Sequence, residues 1–154
     1  MQILAVVLMG SFALAGVLHA GDLGLGVWKF NRAASTYESS PAPRESTRVW
    51  EQAGEGKVRF LHTTVSADGK KGRTEFVAGY DGKDYPVTGS SRYDTVSLKL
   101  LSDHVVEQTF RLKGAVTVRA TRTVSGDGRR MTIVAAGANP DGRAFRNVLV
   151  YDRQ

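Results

Sequence analysis

The chain has 154 residues, a formal net charge of +6 and no cysteine. The length fits a single domain, and the missing cysteine excludes a disulfide framework, thiol chemistry and a lipid-anchored cysteine. Lys and Arg are scattered, with only Lys70-Lys71 and Arg129-Arg130 adjacent, which favours a solvated basic face over a nucleic-acid or other polyanion site.

The first twenty residues have the outline of a signal peptide. Met1–Ala20 contains no Asp, Glu, Lys or Arg, and residues 3–18 are almost wholly apolar. This run is slightly shorter than the roughly 20 residues of a membrane span. We expect cleavage after Ala20, a secreted or periplasmic domain over residues 21–154, and no membrane insertion after cleavage. Because no Lys or Arg follows Met1, an uncleaved anchor is the alternative.

The remaining chain has the pattern of short strands joined by turns. A Gly-rich lead-in precedes the first strand, Gly26–Asn31, and Ala33–Arg44 is a loop because Pro41 and Pro43 lack the amide donor that a sheet interior needs. From Glu45 onward, β-branched and aromatic runs alternate with period two, and no segment keeps a helical repeat. Eight further strands are predicted over Ser46–Ala53, Lys57–Ala67, Arg73–Tyr80, Thr95–Leu101, Val105–Lys113, Ala115–Ser125, Arg130–Ala136 and Ala144–Tyr151.

The turns carry the clearest local signal. An Asp-Gly-basic triplet begins at Asp68, Asp81, Asp127 and Asp141. Asp-Gly supplies the positive φ that tight hairpins need. A calcium loop would need several alternating carboxylates and a closing Glu, which none of the four has. Consecutive hairpins of this kind predict an antiparallel up-and-down meander.

An open meander would leave two exposed edges, so we expect about eight to ten strands, nine by the pattern above, closed or nearly closed into a barrel. Closure would pair the strand at 148–151 with the first strand. A barrel of this size can hold one small ligand. The residue types do not decide whether the interior is hollow. Small side chains at Ala78, Ala120 and Ala135 favour a cavity, whereas the large ones of Phe60, Phe76 and Phe110 would fill it.

Two resemblances bear on this fold. Gly26-Val27-Trp28-Lys29-Phe30 and the late Val-Tyr strand resemble the ends of calycin barrels, the lipocalins and fatty-acid-binding proteins. That resemblance implies a lipocalin-like barrel in which Trp28 closes one end and packs against a basic side chain from a late strand, although the helix pair that lids fatty-acid-binding proteins is absent. Gly26-x-Trp28-Lys29-x-Asn31 and the run Tyr80–Gly89 also resemble a group of small exported bacterial proteins of uncharacterised activity.

Arg122 is the strongest candidate for a functional side chain. It shares a predicted strand face with Val116, Val118, Ala120 and Val124, and a buried guanidinium must be paired or stacked. The favoured interpretation is stacking on Trp28. The fatty-acid-type resemblance implies instead an anchor for a ligand carboxylate, and a strand bulge that turns Arg122 outward is the third possibility.

Other polar side chains also fall on inward faces. Gln108 shares a face with Phe110, Thr74 and Tyr80 share one with Phe76, and His62 is expected to be a hydrogen-bonded core residue. The segment Asp81–Asp94 is long for a meander turn and carries Lys83, Tyr85, Arg92 and Tyr93. It is interpreted either as an extra short strand, Tyr85-Pro86-Val87, or as a recognition loop at the barrel mouth.

No catalytic motif is present, so we predict a non-enzymatic monomer that binds a small, mostly apolar or amphipathic molecule, without cofactor, metal or nucleic acid. The alternative is an envelope interaction module with a packed barrel, which would bind a partner or an anionic polymer through the 81–94 loop and the basic surface. The candidate ligand-binding residues are Arg122, Gln108, Tyr80, Thr74, Trp28, Phe76, Phe110, Lys83 and Tyr85.

Overall fold

The computed structural model describes residues 21–154, so the predicted signal peptide lies outside the described residues. The described chain forms ten strands, with one short 3-10 helix at Arg32–Ala34. The strands are β1 (Gly26–Phe30), β2 (Glu45–Gln52), β3 (Lys57–Val65), β4 (Lys71–Gly79), β5 (Tyr85–Thr88), β6 (Thr95–Ser102), β7 (Val105–Leu112), β8 (Ala115–Val124), β9 (Arg130–Ala138) and β10 (Ala144–Arg153).

The ten strands close into one barrel. Each strand pairs antiparallel with its neighbours in sequence, and β1 pairs with β10 to complete the ring. In that closing pair Trp28 faces Arg153 and Phe30 faces Tyr151. The predicted meander and the pairing of the last strand with the first are therefore confirmed, with ten strands instead of nine.

The Asp-Gly triplets lie at the turns, as predicted. Gly69, Gly82, Gly128 and Gly142 all have positive φ. Each preceding Asp accepts a hydrogen bond from the backbone N–H of the basic residue that follows the glycine, at 3.1–3.3 Å. Each aspartate therefore stabilises the turn in which it lies.

The strand missing from the nine predicted ones is β5. It pairs with β4 and β6 through two residue pairs on each side, and Pro86 removes one ladder donor. It corresponds to the short-strand interpretation of Tyr85-Pro86-Val87. One further detail differs from the prediction: a register shift at Phe110/Arg111 lies opposite the start of β8, and Val116, expected to face inward, is 42% exposed.

Because the strands run up and down, alternate connections lie at opposite ends of the barrel. The Trp28 end carries residues 21–25 and the β2–β3, β4–β5, β6–β7 and β8–β9 turns. The Tyr37 end carries the 31–44 connection and the β3–β4, β5–β6, β7–β8 and β9–β10 turns. Buried apolar side chains from all ten strands form the core. Within it, Trp50, Phe60 and Phe76 form a cross-strand aromatic cluster, with ring centroids 4.4–5.9 Å apart.

The β5 strand is held close to β4 by Gly89, which gives a test of this part of the ring. Gly89 has φ of +82°, and a Cβ there would lie 1.9 Å from the Arg73 carbonyl oxygen. Gly69 has φ of +85° but open space around it. We expect Gly69→Ala to cost about 1–2 kcal/mol from backbone conformation alone, and Gly89→Ala to cost about 3–5 kcal/mol because backbone must also move.

Urea unfolding of the two variants measures this difference in the free energy of unfolding. Equal losses in the two variants would show that the approach of residue 89 to β4 does not constrain the barrel.

Candidate functional site

Arg122 lies on β8 with its side chain in the barrel interior, completely buried. Its Nη2 donates to Oδ1 of Asp22, which is also buried. The Asp22 carboxylate further accepts hydrogen bonds from the backbone N–H of Gly24, at 2.7 Å, and from the Tyr80 hydroxyl. The guanidinium carbon of Arg122 lies 4.5 Å from the ring centroid of Trp50. The charge of Arg122 is thus compensated inside the protein.

This network changes the acidity of the Tyr80 hydroxyl. Burial raises the pKa of the Tyr80 phenol, and the hydrogen bond to the Asp22 carboxylate raises it further. Tyr80 therefore stays a neutral hydrogen-bond donor to Asp22 throughout the physiological pH range.

The lead-in 21–25 covers the Trp28 end and is fixed by the last strand. Arg153 donates to the carbonyl oxygens of Leu25, at 2.7 Å, and Leu23, at 2.6 Å. The guanidinium carbon of Arg153 lies 4.2 Å from the ring centroid of Trp28. A Trp on the first strand thus packs against a basic side chain from a late strand, as the calycin resemblance implied.

The identity of that basic side chain corrects the sequence analysis. The favoured prediction, that Arg122 stacks on Trp28, is wrong. Arg153 is the direct neighbour of Trp28 across the β1–β10 pair, whereas β8 lies two strands further around the ring. The bulge alternative is also wrong, because Arg122 keeps its inward orientation and the register shift lies at Phe110/Arg111.

A cavity of about 130 Å³ occupies the interior toward the Tyr37 end. Its lining is mostly apolar and aromatic, with a few polar side chains among them. The lining residues are Tyr37, Arg48, Phe60, His62, Arg92, Tyr93, Gln108, Phe110, Val118, Ala120, Ile133, Ala135, Phe145, Asn147 and Leu149. A larger hollow, of about 330 Å³, lies along 63–65 and 71–73, and outward-facing side chains such as Thr63 and Arg73 contribute to its lining.

A second cavity of about 170 Å³ adjoins the first beneath the 31–44 connection. The two share Tyr37, Arg48, His62 and Leu149 in their walls. Together they approach the lower end of the roughly 300–1,000 Å³ range of small-molecule sites. The Tyr37 end of the barrel is therefore hollow, whereas the Trp28 end is filled.

The 31–44 connection covers the second cavity and is attached to β10. The buried side chain of Asn147 accepts hydrogen bonds from the backbone N–H groups of Glu38, at 2.7 Å, and Ser39, at 3.2 Å, and donates to Ser39 Oγ at 2.9 Å. Thr36 forms a bridge with Val148 on the same strand. Glu38 and Ser35 also accept hydrogen bonds from backbone N–H groups of β10, each at 2.8 Å. The cover is thus attached to β10 along its first half, with the buried Asn147 amide as one of the attachments.

The structure divides the candidate ligand-binding residues into separate groups. Gln108 and Phe110 line the cavity, and Phe76 belongs to the cluster beside it. Trp28, Tyr80 and Arg122 belong to the Trp28 end and do not line the cavity. Thr74 donates to the Gly89 carbonyl oxygen at 3.5 Å, also outside the cavity lining.

The 81–94 segment is not one loop. Its first part, with Lys83, lies in the turn at the Trp28 end, where the Tyr85 hydroxyl donates to Asp81 at 2.9 Å. Its last part, after β5, brings Arg92 and Tyr93 into the cavity wall. Lys83 and Tyr85 are therefore not brought to the cavity, because β5 carries the chain from one end of the barrel to the other.

His62 lies in the wall shared by the two cavities. Ser46 Oγ lies 2.8 Å from His62 Nε2 and 2.9 Å from the Tyr151 hydroxyl. Burial lowers the pKa of His62 well below 6.5, and the nearby positive charge of Arg48 lowers it further. Among residues 21–154 no carboxylate hydrogen-bonds this histidine, so the Ser46–His62 pair lacks the third group that orients the base in a hydrolase triad.

Several residues of the two ends were not singled out from the sequence. Asp22 lies in a lead-in without periodicity, and its signal was indirect: an inward Arg122 requires a buried carboxylate, and no strand offers one on its inner face. Arg48 follows the alternation of β2 together with Ser46 and Trp50 and could have been assigned inward on that basis. Asn147 could have been assigned in the same way on β10.

Residues 21–154 contain no cluster of three or more His, Asp or Glu side chains suited to a metal ion. No helix in this part of the chain is long and apolar enough to cross a membrane.

Comparison with known proteins identifies the fold. No protein-family model and no curated protein matches the sequence. The structure is similar to a crystal structure of a variant of the fluorescent protein UnaG, with a TM-score of 0.56, 14% identity and coverage of 86% of this chain and 96% of that one. It is also similar to zebrafish ileal bile acid-binding protein complexed with cholic acid, with a TM-score of 0.52, 12% identity and coverage of 86% and 99%.

A weaker likeness, to the siderocalin Ex-FABP, has a TM-score of 0.44, 16% identity and coverage of 87% and 75%. The first two likenesses show the fold alone, an all-β antiparallel closed barrel. The resemblance to small exported bacterial proteins stays a prediction.

The Asp22–Arg122 pair gives a stability prediction. Removing one partner leaves a buried charge uncompensated, so we expect Arg122→Met to lower the free energy of unfolding by roughly 3–5 kcal/mol. The double variant Asp22→Asn/Arg122→Met should recover part of that loss, because neither charge then remains in the interior. Urea unfolding measures both.

The matched control is Arg119→Met, on the outer face of the same strand, which should change stability by less than about 0.5 kcal/mol. If Arg122→Met were no worse than Arg119→Met, the ion pair would have no structural role.

His62 gives a pH prediction. Its pKa is lowered in the folded protein, so the unfolded chain binds the proton more readily. The resulting stability is fully present above about pH 6.5 and is lost as the pH falls from there toward the folded value. Urea midpoints of the wild type and His62→Gln at pH 7.5 and pH 5 measure it. The wild type should lose more stability than the variant, and equal losses would contradict the assignment.

Proposed function

We propose that the chain is a secreted or periplasmic protein that binds one small, mostly apolar ligand inside its barrel, in the cavity at the Tyr37 end. The observation that carries the proposal is Gln108. Its side chain is 2% exposed, it lines the cavity, and its Nε2 has no hydrogen-bond partner among the described residues. An unsatisfied buried amide costs roughly 1–3 kcal/mol. A ligand acceptor in the cavity would offset that cost.

The rest of the lining supports the same function. Phe60, Phe110, Val118, Ile133 and Leu149 supply apolar contact area around the few polar groups, which is the usual composition of small-molecule sites. The fold itself accommodates ligands in other proteins: zebrafish ileal bile acid-binding protein was crystallised with cholic acid.

The location of the protein is proposed from the leader alone. The uncharged apolar run at residues 3–18 and the small residue Ala20 favour export with cleavage before Gly21. The absence of enzymatic activity also stays a prediction, which rests on the missing catalytic motifs.

The alternative, an interaction module that uses the 81–94 loop, is less well supported. Residues 81–84 and 89–94 lie at opposite ends of the barrel and form no single surface. A partner that binds the basic outer face would not need the cavity. Substitutions inside the cavity would therefore weaken the binding of an internal ligand and leave the binding of such a partner unchanged.

The first experiment is native mass spectrometry of protein purified from an exporting host, followed by organic extraction and titration with retinol, palmitate and 1-naphthoate. We expect one small molecule per chain, either retained from the host or taken up from this panel. The intact mass should correspond to a chain that begins at Gly21. An empty protein that takes up none of the probes would contradict the proposal.

A matched pair of variants locates the bound molecule. Ala135 faces the cavity and its neighbour Ala136 is exposed on the outer wall. Ala135→Phe should fill the cavity and weaken uptake at least tenfold, whereas Ala136→Phe should bind as the wild type does. Thermal unfolding checks that both variants are folded, and Ala135→Leu is the milder substitution if Ala135→Phe is not. Equal uptake by all the folded variants would place the ligand outside the cavity.

A further inference from the structure

Ser46, His62 and Tyr151 form a polar cluster in the wall of the second cavity. Ser46 Oγ lies 2.8 Å from His62 Nε2 and 2.9 Å from the Tyr151 hydroxyl. The first of these distances is one at which a hydroxyl nucleophile can pass its proton to a general base. All three side chains line the cavity, so a molecule bound there would contact the Ser46 hydroxyl.

The pairing of β2 with β3 creates this cluster. Ser46 and Arg48 are alternate residues of β2 that both line the cavity, and Arg48 is the direct cross-strand neighbour of His62. Ser46 is therefore diagonal to His62, a separation that side chains on one face of a sheet can bridge. The two residues are 16 positions apart in the sequence, which explains why no short catalytic motif contains them.

His62 is in the protonation state that a general base needs. Burial lowers its pKa well below 6.5, and the positive charge of Arg48 lowers it further, so the imidazole is neutral at pH 7. In the tautomer that carries its proton on Nδ1, Nε2 can accept the proton of Ser46. A base of low pKa removes that proton only weakly. The reaction is therefore limited to acyl compounds with good leaving groups.

Two further hydrogen-bond donors lie beside Ser46. One is the Tyr151 hydroxyl. The other is Arg48, whose Nε is buried without a hydrogen-bond partner among residues 21–154, and whose Cζ lies 4.9 Å from the centroid of the Tyr151 ring. When a hydroxyl attacks a carbonyl group, the carbonyl oxygen becomes an oxyanion, which such donors stabilise. The described residues that line this cavity include no Asp or Glu that would oppose the developing charge.

We propose that Ser46 is a site of covalent acylation by small activated esters, with His62 as the general base and Arg48 and Tyr151 as oxyanion donors. Ser46 Oγ forms a bond to the acyl carbon, and the bond from that carbon to the leaving oxygen breaks. The Ser46 proton passes through His62 to the departing oxygen, so no other reactant is consumed. The products are an acyl-serine and a free phenol. This step goes beyond reversible ligand binding, modifies the chain once and requires no turnover.

The dimensions of the two cavities define the class of ester. The second cavity, of about 170 Å³, holds a short acyl group next to Ser46. The adjoining cavity, of about 130 Å³, offers the ring of Phe60 to an aromatic leaving group. His62 and Arg48 lie in the wall that the two cavities share. The class is therefore aryl esters of short carboxylic acids.

The test measures the release of p-nitrophenolate from p-nitrophenyl acetate by the purified protein at pH 7.5. We expect the wild type to react at least tenfold faster than Ser46→Ala. His62→Gln should also be at least tenfold slower than the wild type, because a general base contributes typically about 10²–10⁴-fold. Ser40→Ala is the matched control and should react as the wild type does. Ser40 lines the same cavity but has no hydrogen bond to a histidine among the described residues.

The pH profile separates this reaction from acylation of surface lysines. The Ser46-dependent rate is the wild-type rate minus that of Ser46→Ala. It should be level from about pH 6.5 to pH 8 and fall at lower pH as His62 is protonated. Lysine acylation continues to rise over the same range, because the pKa of a lysine amine is about 10.4.

Peptide mapping of the acid-quenched wild type should find the acetyl group on Ser46, and it decides the question if Ser46→Ala does not fold. Equal rates in the folded wild type and Ser46→Ala, or acetyl groups on lysines alone, would overturn the proposal. A folded His62→Gln that reacts as fast as the wild type would overturn the role of His62 as the base. Reversible uptake of retinol, palmitate or 1-naphthoate is measured separately, so the proposed function stands or falls on its own result.

Discussion

The ion pair between Asp22 and Arg122 is the contact on which the arrangement of the interior depends. A guanidinium at the centre of an apolar strand face must be paired or stacked, and none of the described strands carries a carboxylate on its inner face to pair with Arg122. The chain supplies it from the lead-in before β1, where Asp22 enters the barrel. That requirement brings residues 21–25 across the Trp28 end, where Arg153 holds them. A segment without sequence periodicity thus becomes part of the core.

The interior consequently has two halves of opposite character. The Trp28 end is filled: the buried Arg122 pairs with the buried Asp22, and Arg153 lies on the Trp28 ring and donates to backbone carbonyl oxygens. The Tyr37 end is hollow, and its cations, Arg48 and Arg92, are unmatched. The cluster of Trp50, Phe60 and Phe76 joins the halves, since Trp50 contacts Arg122 and Phe60 lines the cavity. The two adjoining cavities accordingly lie at the Tyr37 end.

Much of this fold could be predicted from local chemistry, because alternation and Asp-Gly turns are properties of adjacent residues. The inward orientation of Arg122 followed from the same alternation. Its partner could not be predicted in this way, because the Asp22 contact joins residues 100 positions apart and depends on the path of an irregular segment. The sequence did not decide whether the barrel interior is hollow, for a similar reason. The volume of a cavity depends on the distance between opposite walls of the barrel, which residue types do not give. The sequence did not decide between a strand and a loop at β5, because four residues including a proline are too few to show a clear alternation of apolar and polar side chains.

The attachment of the 31–44 connection has a consequence for exchange kinetics. This cover is held on β10 by the three hydrogen bonds of the Asn147 side chain and by the bridge between Thr36 and Val148. Ser35 and Glu38 also accept hydrogen bonds from backbone N–H groups of the same strand. Each such bond contributes about 0.5–1.5 kcal/mol, whereas the ring beneath it has two hydrogen-bonded neighbours for every strand. Local opening of the cover would therefore cost less free energy than unfolding of the barrel. A molecule in the cavity would then have a residence time set by the contacts of the cover with β10, those of Asn147 among them, and not by the global stability that Asp22 and Arg122 provide.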